Sequence, residues 1–528
     1  MKRLYFLALL ALCSCTSGGG GDSAPKTALI TSATLGDVTL RHGKQVGDAP
    51  AGQVEIVLTF SREVNPRESA DVYFSGGELE FSRGADKFSL VVRPSAPLDY
   101  FTAYTLSLPV GKAFGVKLVE DYVFKFTTVY DPSPKFPDLP DDDLLTLVQK
   151  QTFKYFWDYA HPVSGLSRER LGSGETVTAG GSGFGIMCLP VGVERGFVTR
   201  SQAAERLRTI VKFLGGKAQR FHGAFPHWFN GSTGEVIPFS SRDNGADLVE
   251  TAFLLEGLLA AAGYFDRPEE ADIRSGIDAI WRAVEWDWFT RGGQDVLYWH
   301  WSPTGDWAMN MQINGWNEAF MVYYLARLSP THPVGESVYR NGWARGGSIR
   351  NGRKFYDITL PLGPDYGGPM FFAHYSFMGL NPWGLGDEFA ESYWDQNEAH
   401  ARINCAYCEA NPQGHAGYSA QCWGLTASDV PGGYAASSPT NDRGTIAPTA
   451  ALASMPYTPT ESMQALRTFY YVYGDRLWGE YGFYDAFCLD SAWFAKSYIA
   501  IDQGPIVVMI ENYRTGLLWE CFRKYFDS

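Results

Sequence analysis

Positive charge is scarce in this sequence. Lysine and arginine number 44 against 58 aspartates and glutamates, which leaves a formal net charge of −14. A surplus of negative charge repels phosphate backbones, so we expect no nucleic-acid partner. The apolar N-terminal run, residues 4–12, is too short to remain as a membrane-spanning anchor.

The cysteines lack the spacing of a zinc site. Such a site usually shows two close pairs of ligands, whereas only one further cysteine and scattered histidines lie near Cys405 and Cys408. Buried free thiols are the favoured interpretation, with a disulfide as the alternative. The glycine-rich segment Gly180–Gly185 lacks the lysine and the preceding strand of a phosphate-binding loop, so we predict a loop that lets the backbone approach sugar or core. We therefore expect no metal and no cofactor.

The N-terminal residues have the pattern of an exported lipoprotein. A charged start, Met1-Lys2-Arg3, precedes the apolar run, and Leu12-Cys13-Ser14-Cys15 resembles a bacterial lipobox. We expect a lipoprotein signal peptide at 1–15, a lipid on Cys15 and a flexible tether at 16–27. The predicted location is the outer membrane, on its periplasmic or its cell-surface face, with this lipid as the membrane contact.

The composition changes near residue 130. Before that point, alternating apolar and polar residues in 54–60, 88–92 and 122–126 predict the strands of a β-sandwich domain over 28–129. The segment 58–65 resembles bacterial Ig-like modules, which implies a spacer or a packing partner. The proline-rich stretch 130–140 predicts a semi-rigid linker.

Residues 141–528 have the periodicity of a helical domain. No fixed repeat links its amphipathic stretches, and long aromatic-rich loops separate them. The stretches lie at about 141–160, 199–216, 245–264, 268–287, 310–329, 384–402, 460–474 and 505–525. Many helices with functional loops at one end suggest a closed double ring. The predicted fold class is therefore mainly α, an (α/α)6 barrel catalytic domain preceded by a small Ig-like β-sandwich.

Three carboxylates, Asp243, Asp247 and Glu250, recur at i, i+4 and i+7 in a predicted helix that runs to about Ala262. This spacing turns them the same way, and like charges raise one another's pKa. Glycoside hydrolysis needs one protonated carboxylic acid and one ionised carboxylate. In the alternative, Asp243 caps the helix and the other two are first-turn acids favoured by the helix dipole.

A fourth carboxylate, Glu318, opens an otherwise apolar helix beside Trp316 and Asn317. An indole contact and an amide hydrogen bond can raise the pKa of a carboxylic acid and orient it, so we predict that Glu318 is the proton donor. An inert first-turn acid is the alternative. Asp442, in a loop before another helix, is a further catalytic candidate, and its alternative is a turn aspartate.

Several long segments of the helical part resemble the bacterial glucoamylase-like domain family and stand in the same order. The resemblance runs from about 144 to 519 and is carried by 223–228, 247–252, 422–429, 441–450, 502–505 and 509–516. It implies an (α/α)6 fold and inverting hydrolysis of β-1,2-glucan to sophorose or short sophorooligosaccharides. Under this hypothesis Glu318 protonates the leaving oxygen, while an acid of the cluster Asp243, Asp247 and Glu250 activates water.

Aromatic residues are abundant, with 16 Trp, 29 Tyr and 34 Phe, and flat rings with polar edges suit stacking on sugars. Arg168 and Arg170 resemble family positions that contact sugar hydroxyls or hold a carboxylate, and a structural ion pair is the alternative. His227 could donate to a sugar hydroxyl or be a buried, hydrogen-bonded residue. The predicted substrate contacts are Arg168, Arg170, His227, Trp228, Trp299, Trp301, Trp316, Asn317 and Trp423.

Two rival functions are open. A polysaccharide lyase on the same type of barrel would need a Tyr or His base and basic residues to neutralise a uronate, which the acidic cleft and negative charge disfavour. A non-catalytic, surface-anchored glycan-binding protein would use the carboxylates only as hydrogen-bond acceptors. In each case the expected partner is an oligo- or polysaccharide, and we expect a monomer.

Overall fold

The computed structural model describes residues 26–527, which divide into two compact units at Thr128 and Val129. The predicted signal peptide with Cys15 lies outside the described residues, and so does nearly all of the predicted tether. Among the described residues, no helix has both the length and the apolar character needed to cross a bilayer.

The described part of the first unit is built from short strands around one core. The strands are β1 Thr27–Ala28, β2 Ile30–Leu35, β3 Val38–Thr39, β4 Gln45–Ala49, β5 Ile56–Phe60, β6 Tyr73–Phe74, β7 Leu79–Arg83, β8 Ser89–Pro94, β9 Ala103–Leu108, β10 Gly111–Ala113, β11 Val116–Leu118 and β12 Tyr122–Thr128. They form sheets of order β3-β2-β5-β8-β7, β4-β12-β9-β6 and β1-β11-β10. Alternate residues of β5 and β9 are buried, and Leu58 and Leu106 belong to the same core.

The second unit is mainly helical. Its α-helices are α1 Asp141–Trp157, α2 Ala179–Glu194, α3 Arg200–Gly216, α4 Leu248–Tyr264, α5 Ala271–Arg282, α6 Phe320–Leu328, α7 Tyr393–Ala410, α8 Pro448–Leu452, α9 Pro459–Arg467, α10 Gly474–Leu477, α11 Ala500–Thr515 and α12 Leu517–Asp527. Short strands lie in the loops: β13 Thr176–Thr178, β14 Trp228–Asn230, β15 Val236–Ile237, β16 Ala246–Asp247, β17 Leu297–Tyr298, β18 His300–Trp301, β19 Gln312–Ile313, β20 Lys354–Phe355, β21 Ile358–Thr359, β22 Ala427–Val430, β23 Gly433–Ala436, β24 Trp478–Gly479, β25 Gly482–Phe483, β26 Phe487–Cys488 and β27 Trp493–Phe494.

Burial separates two kinds of helix. Every residue of α4 and nearly every residue of α2 is buried, whereas α5 buries only one stripe, Ile273, Ile277, Ile280 and Trp281. Helix α2 packs against both α4 and α11. Neighbours enclose α4 on all sides, so no face of this helix is open to solvent.

The glycine-rich segment Gly180–Gly185 is the start of α2, so the predicted loop is wrong. Glycine weakens an isolated helix, but here the absent side chains let two backbones meet. A Cβ atom on Gly183 would lie 2.1 Å from the carbonyl oxygen of Phe253, and one on Gly257 would lie 2.0 Å from the carbonyl oxygen of Gly183. This tertiary packing outweighs the intrinsic propensity of the segment.

Candidate active site

Asp247 caps the N-terminus of α4 and is almost completely buried. Its Oδ1 atom accepts hydrogen bonds from the backbone N–H groups of Val249 (3.0 Å) and Glu250 (2.9 Å), and its Oδ2 atom lies 3.1 Å from Nδ1 of His227. Burial alone would raise the pKa of Asp247, but His227, His300 and the backbone donors hold it below its usual value. The Asp247 carboxylate is therefore ionised at neutral pH.

Asp243 lies in the turn before α4, not in the helix as predicted. The turn is closed by the N–H of Asp243, which donates to the carbonyl oxygen of Ser240. It places the Asp243 carboxylate 3.6 Å from Nε2 of His300, which is equally far from Asp247. Burial and the neighbouring charge of Asp247 raise the pKa of Asp243. The prediction that one helix carries all three carboxylates is therefore wrong, but the three still share one cluster.

Glu250, in the first turn of α4, points to the start of α2. Its Oε2 atom accepts a 2.7 Å hydrogen bond from the N–H of Gly180, and its Oε1 atom lies 4.0 Å from Nε2 of His227. Burial first, and then the charge of Asp247, raise the pKa of Glu250 despite the opposing charge of His227. Glu250 is thus a first-turn acid and also part of the cluster.

Glu318 lies two residues before the first residue of α6, Phe320, and is half-buried. Its carbonyl oxygen accepts a hydrogen bond from Ser376, and Asn317 accepts one from the N–H of Ala319 (2.9 Å), so both neighbours fix the start of the helix. Burial raises the pKa of Glu318 to about 7, with smaller contributions from Asp247 and Glu250. A carboxyl group with this pKa can hold a proton at neutral pH and release it.

A second group of carboxyls surrounds the start of α11. Asp502 accepts a hydrogen bond from the hydroxyl of Tyr375 (3.2 Å), and Asp485 accepts one from the N–H of Asp429 (2.6 Å). The carboxyls of Asp485 and Asp502 also interact electrostatically. Burial, followed by this like-charged neighbour, raises the pKa of Asp502.

Electrostatic interactions connect the two groups of carboxyls through Glu318 and Tyr375 on one side and through Glu169 on the other. We call the connected set the carboxyl ring. The charges of Asp502 and Glu318 both act on the hydroxyl of Tyr375, and the charge of Asp247 acts on Glu318. On the other side, the charges of His227 and Asp429 both act on Glu169. Within this ring, Glu318 can donate a proton, and Asp247, which is already ionised, can accept one. That arrangement is the chemical requirement of a glycoside hydrolase.

Asp442 lies in a different polar cluster from the other predicted acids. Its carboxylate accepts hydrogen bonds from Tyr407 (2.9 Å), Tyr418 (2.8 Å) and the N–H of Gly444 (3.0 Å), and it lies 3.4 Å from Nε2 of His415. Burial would raise the pKa of Asp442, but these partners lower it. Its contacts are those of the turn aspartate that was the alternative interpretation.

Two of the predicted stacking residues are core residues, which corrects that prediction. Trp316 is 4% exposed and packs against Trp343, Phe377 and Tyr393. Trp423 is fully buried, and its Nε1–H donates to a backbone carbonyl. Enclosed rings of this kind cannot offer a face to a sugar.

The other three predicted tryptophans are half-buried, but they do not all reach the carboxylates. Trp228 contacts the His227 ring, and Trp299 stacks on His300. Trp301 follows His300 in β18 and points to the opposite side of the strand, where it contacts Trp288. Trp228 and Trp299 therefore lie beside the cluster, and Trp301 does not contact it.

The predicted arginines hold loops and carboxylates in place. Arg168 donates to the carbonyl oxygens of Tyr159 (2.7 Å) and Gly174 (2.8 Å). Arg170 pairs with Glu169 and, at 3.2 Å, with Asp429. The ion-pair alternative thus describes Arg170, which pairs with two carboxylates. Arg168 instead binds backbone carbonyl oxygens of the neighbouring loops.

One group of the described residues has the geometry to hold a metal ion. Ligand atoms of His227, Asp243 and Asp247 lie within 4.8 Å of one another. However, Nδ1 of His227 is already engaged in the hydrogen bond with Asp247.

The six cysteines in the described residues, Cys188, Cys405, Cys408, Cys422, Cys488 and Cys521, are all buried free thiols.

Sequence reasoning gave no role to Asp485, Tyr375 or Asp502. Asp502 stands in one of the segments that resemble the family, and its position at the start of an apolar helix was the available signal. Asp485 and Tyr375 occur in loops without a motif of their own. Their proximity to Asp502 arises only from the tertiary fold.

Comparison with known proteins gives the same assignment from several sides. A family model described as "Putative glucoamylase" matches residues 310–525. A solved Bacteroides uniformis protein of the same description is 60% identical over 73% of this chain and 95% of its own, with a TM-score of 0.72. The corresponding values for an endo-β-1,2-glucanase from Chitinophaga pinensis, solved with sophorotriose and glucose, are 49%, 73%, 95% and 0.71.

A curated relative adds the same signal. The exo-β-1,2-glucooligosaccharide sophorohydrolase of Parabacteroides distasonis is 44% identical over 413 residues, which are 74% of this chain. The match spans 57% of that relative's length. The helical fold and the ring of interacting carboxyls define a carbohydrate-processing class of protein. Within that class, the chain belongs to the glucoamylase-like family.

Proposed function

We propose that the protein is a glycoside hydrolase that cleaves β-1,2-glucan to sophorose or short sophorooligosaccharides with inversion at the anomeric carbon. The observation that carries this proposal is that Glu318, whose pKa is raised to about 7, interacts electrostatically with Asp247, whose pKa is lowered. The choice of linkage is supported by relatives that are named for β-1,2-linked glucans.

In the proposed reaction, Glu318 gives its proton to the glycosidic oxygen, directly or through a substrate hydroxyl, as the bond to the anomeric carbon breaks. A water molecule attacks that carbon from the opposite face and passes its proton to a carboxylate. Inversion requires about 6.5–9.5 Å between the two carboxyl groups, which leaves room for the water. Asp243, Asp247 and Glu250 are the candidate bases from one side of the ring, and Asp502 is the candidate from the other.

The proposal includes the finer architecture and the location. The helices form an (α/α)6 barrel, with buried helices such as α2 and α4 in the inner ring, and the strands of 28–128 form an Ig-like β-sandwich. The chain is an exported, monomeric lipoprotein that is held at the outer membrane through Cys15. Its partner is the oligo- or polysaccharide substrate.

Product analysis tests the function. Purified protein is incubated separately with linear β-1,2-glucan and with starch, and products are followed by anomer-resolved NMR. We expect sophorose or short sophorooligosaccharides from β-1,2-glucan, first as the α-anomer, and no products from starch. An unsaturated product that absorbs in the ultraviolet would indicate a lyase, and binding without new reducing ends would indicate a glycan-binding protein.

A further inference from the structure

Two large aromatic side chains at the carboxyl ring, Phe239 and Tyr434, are each 51% exposed. Exposed aromatic rings leave apolar surface in contact with water, which is unfavourable. A single exposed ring is ordinary, but one on each group of carboxyls coincides with the place where a sugar must bind. Phe239 lies in a loop and Tyr434 in the short strand β23, so neither ring belongs to the buried helices.

Phe239 belongs to the same tight turn as Asp243. The N–H of Phe239 donates to the carbonyl oxygen of Asp243 (2.9 Å), so the turn sets the aromatic ring and the carboxylate together. The Phe239 ring lies 4.5 Å from the His227 ring and 4.7 Å from Trp228. It therefore covers the imidazole that pairs with Asp247, while half of its surface stays open.

Tyr434 lies in the hairpin formed by β22 and β23, opposite Asp429. Burial of its hydroxyl, followed by the charges of Asp502, Asp485 and Asp429, raises the pKa of Tyr434. Residues paired across an antiparallel hairpin point to the same side of its strands, so the Tyr434 ring lies on the side of the Asp429 carboxylate while half of the residue stays exposed. This combination gives an apolar ring face with a polar end that can bond to a sugar hydroxyl.

We propose that Phe239 and Tyr434 are the two sides of an aromatic clamp that stacks on glucose rings of the β-1,2-glucan chain and positions the scissile bond at Glu318. The clamp rests on the proposed function and specifies how the site holds its substrate. The glucose rings present C–H faces that match the apolar rings, while their hydroxyls face the carboxyl ring.

The test measures binding in the background of Glu318→Gln, which removes turnover. Affinity for a linear β-1,2-glucooligosaccharide is determined by calorimetry for this protein and for versions that also carry Phe239→Ala, Tyr434→Ala, Phe239→Tyr or Trp383→Ala. Trp383 is 70% exposed and contacts Trp394, so it is the matched control for loss of a surface aromatic. Unfolding midpoints are recorded for each protein.

We expect Phe239→Ala and Tyr434→Ala each to weaken binding by about tenfold or more, and Phe239→Tyr and Trp383→Ala to change it less than twofold. Tight binding that is unaffected by either alanine substitution overturns the clamp and leaves the proposed function standing. If the Glu318→Gln protein binds no β-1,2-glucan and the unmodified protein releases no reducing ends, the function and the clamp both fail. In active protein, Phe239→Ala should raise KM more than it lowers kcat.

Discussion

The imidazole of His227 donates to Asp247 at 3.1 Å and is the positive charge that keeps this carboxylate ionised. Burial would lower the pKa of His227, but Glu250 and Asp247 outweigh it and raise the pKa to about 9. The residue that sequence analysis considered for sugar binding therefore has a second role. It sets the charge of the carboxyl cluster.

Replacement of His227 by Asn should move the acidic limb of the pH–activity profile upward. Loss of the positive charge lets the pKa of Asp247 and Glu250 rise, so a higher pH is needed to ionise the base. The measurement is kcat/KM against pH on β-1,2-glucan. The control is His332→Asn, which removes an exposed histidine paired with Asp287. An acidic limb at the same pH in both variants would contradict this role of His227.

Replacement of Glu318 by Gln should lower kcat by between about 100-fold and 10,000-fold, because the amide cannot supply the proton. In the unmodified protein, kcat/KM should fall as the pH rises above about 7, where Glu318 loses its proton. The raised pKa also means that the folded state loses stability as pH rises from about 4.5 to 7. Glu318→Gln should therefore unfold at a higher temperature than the unmodified protein at pH 8. Near-normal turnover would exclude Glu318 as the acid.

The two carboxyls of the second group should differ when each is changed to Asn. Asp502 contacts Tyr375, which adjoins Glu318, whereas Asp485 contacts the backbone of Asp429. We expect Asp502→Asn to lower kcat by about 100-fold or more and Asp485→Asn to lower it much less. Steady-state kinetics at several pH values make the comparison. Equal losses would show that the pair acts as one structural unit and would favour a base from α4 or its preceding turn.

The His415 cluster should make stability depend on pH. His415 lies between Asp490 (2.6 Å) and Asp442 (3.4 Å), and hydrogen bonds to Asp442 and Asp490 raise its pKa to about 10. A raised histidine pKa stabilises the fold fully below about 6.5, and this contribution is lost as the pH rises through 10. His415→Gln should cost about 1–2 kcal/mol at pH 7 and little at pH 10.5, as measured by urea unfolding. A cost that is the same at both pH values would refute the ion-pair explanation.

The glycine contact between α2 and α4 predicts opposite effects of the same substitution at two helical sites. Gly257→Ala places a methyl group 2.0 Å from a carbonyl oxygen and should destabilise by about 3 kcal/mol or more. Gly215, in α3, has nothing within 4 Å of its added methyl, and Gly215→Ala should stabilise by about 0.5–1 kcal/mol. Thermal and denaturant unfolding check both. A loss of less than about 1 kcal/mol for Gly257→Ala would show that the two helices can move apart with little loss of stability.

Local signals in the sequence predicted much of the fold. The cap of α3 is present in its residues, because Thr199 and Gln202 exchange hydrogen bonds across the first turn. Helix α2 could not be predicted in this way, because Gly183 is favoured by its contact with Gly257, more than 70 residues away in the sequence. The same limit applies to the site: Glu318 stood out beside an apolar helix, whereas the interaction of Asp485 with Asp502 depends on loops that meet only in the folded chain.

The direct backbone contact at Gly183 and Gly257 has an evolutionary consequence. Helices α2 and α4 carry, at their starts, the N–H of Gly180 that holds Glu250 and the cap formed by Asp247. Neither helix can shift without loss of this contact, so mutation has little freedom to move these two carboxylates. Diversification of glycan preference among descendants of this chain should therefore accumulate in the turn around Phe239 and the hairpin around Tyr434, while the two helix starts are inherited unchanged.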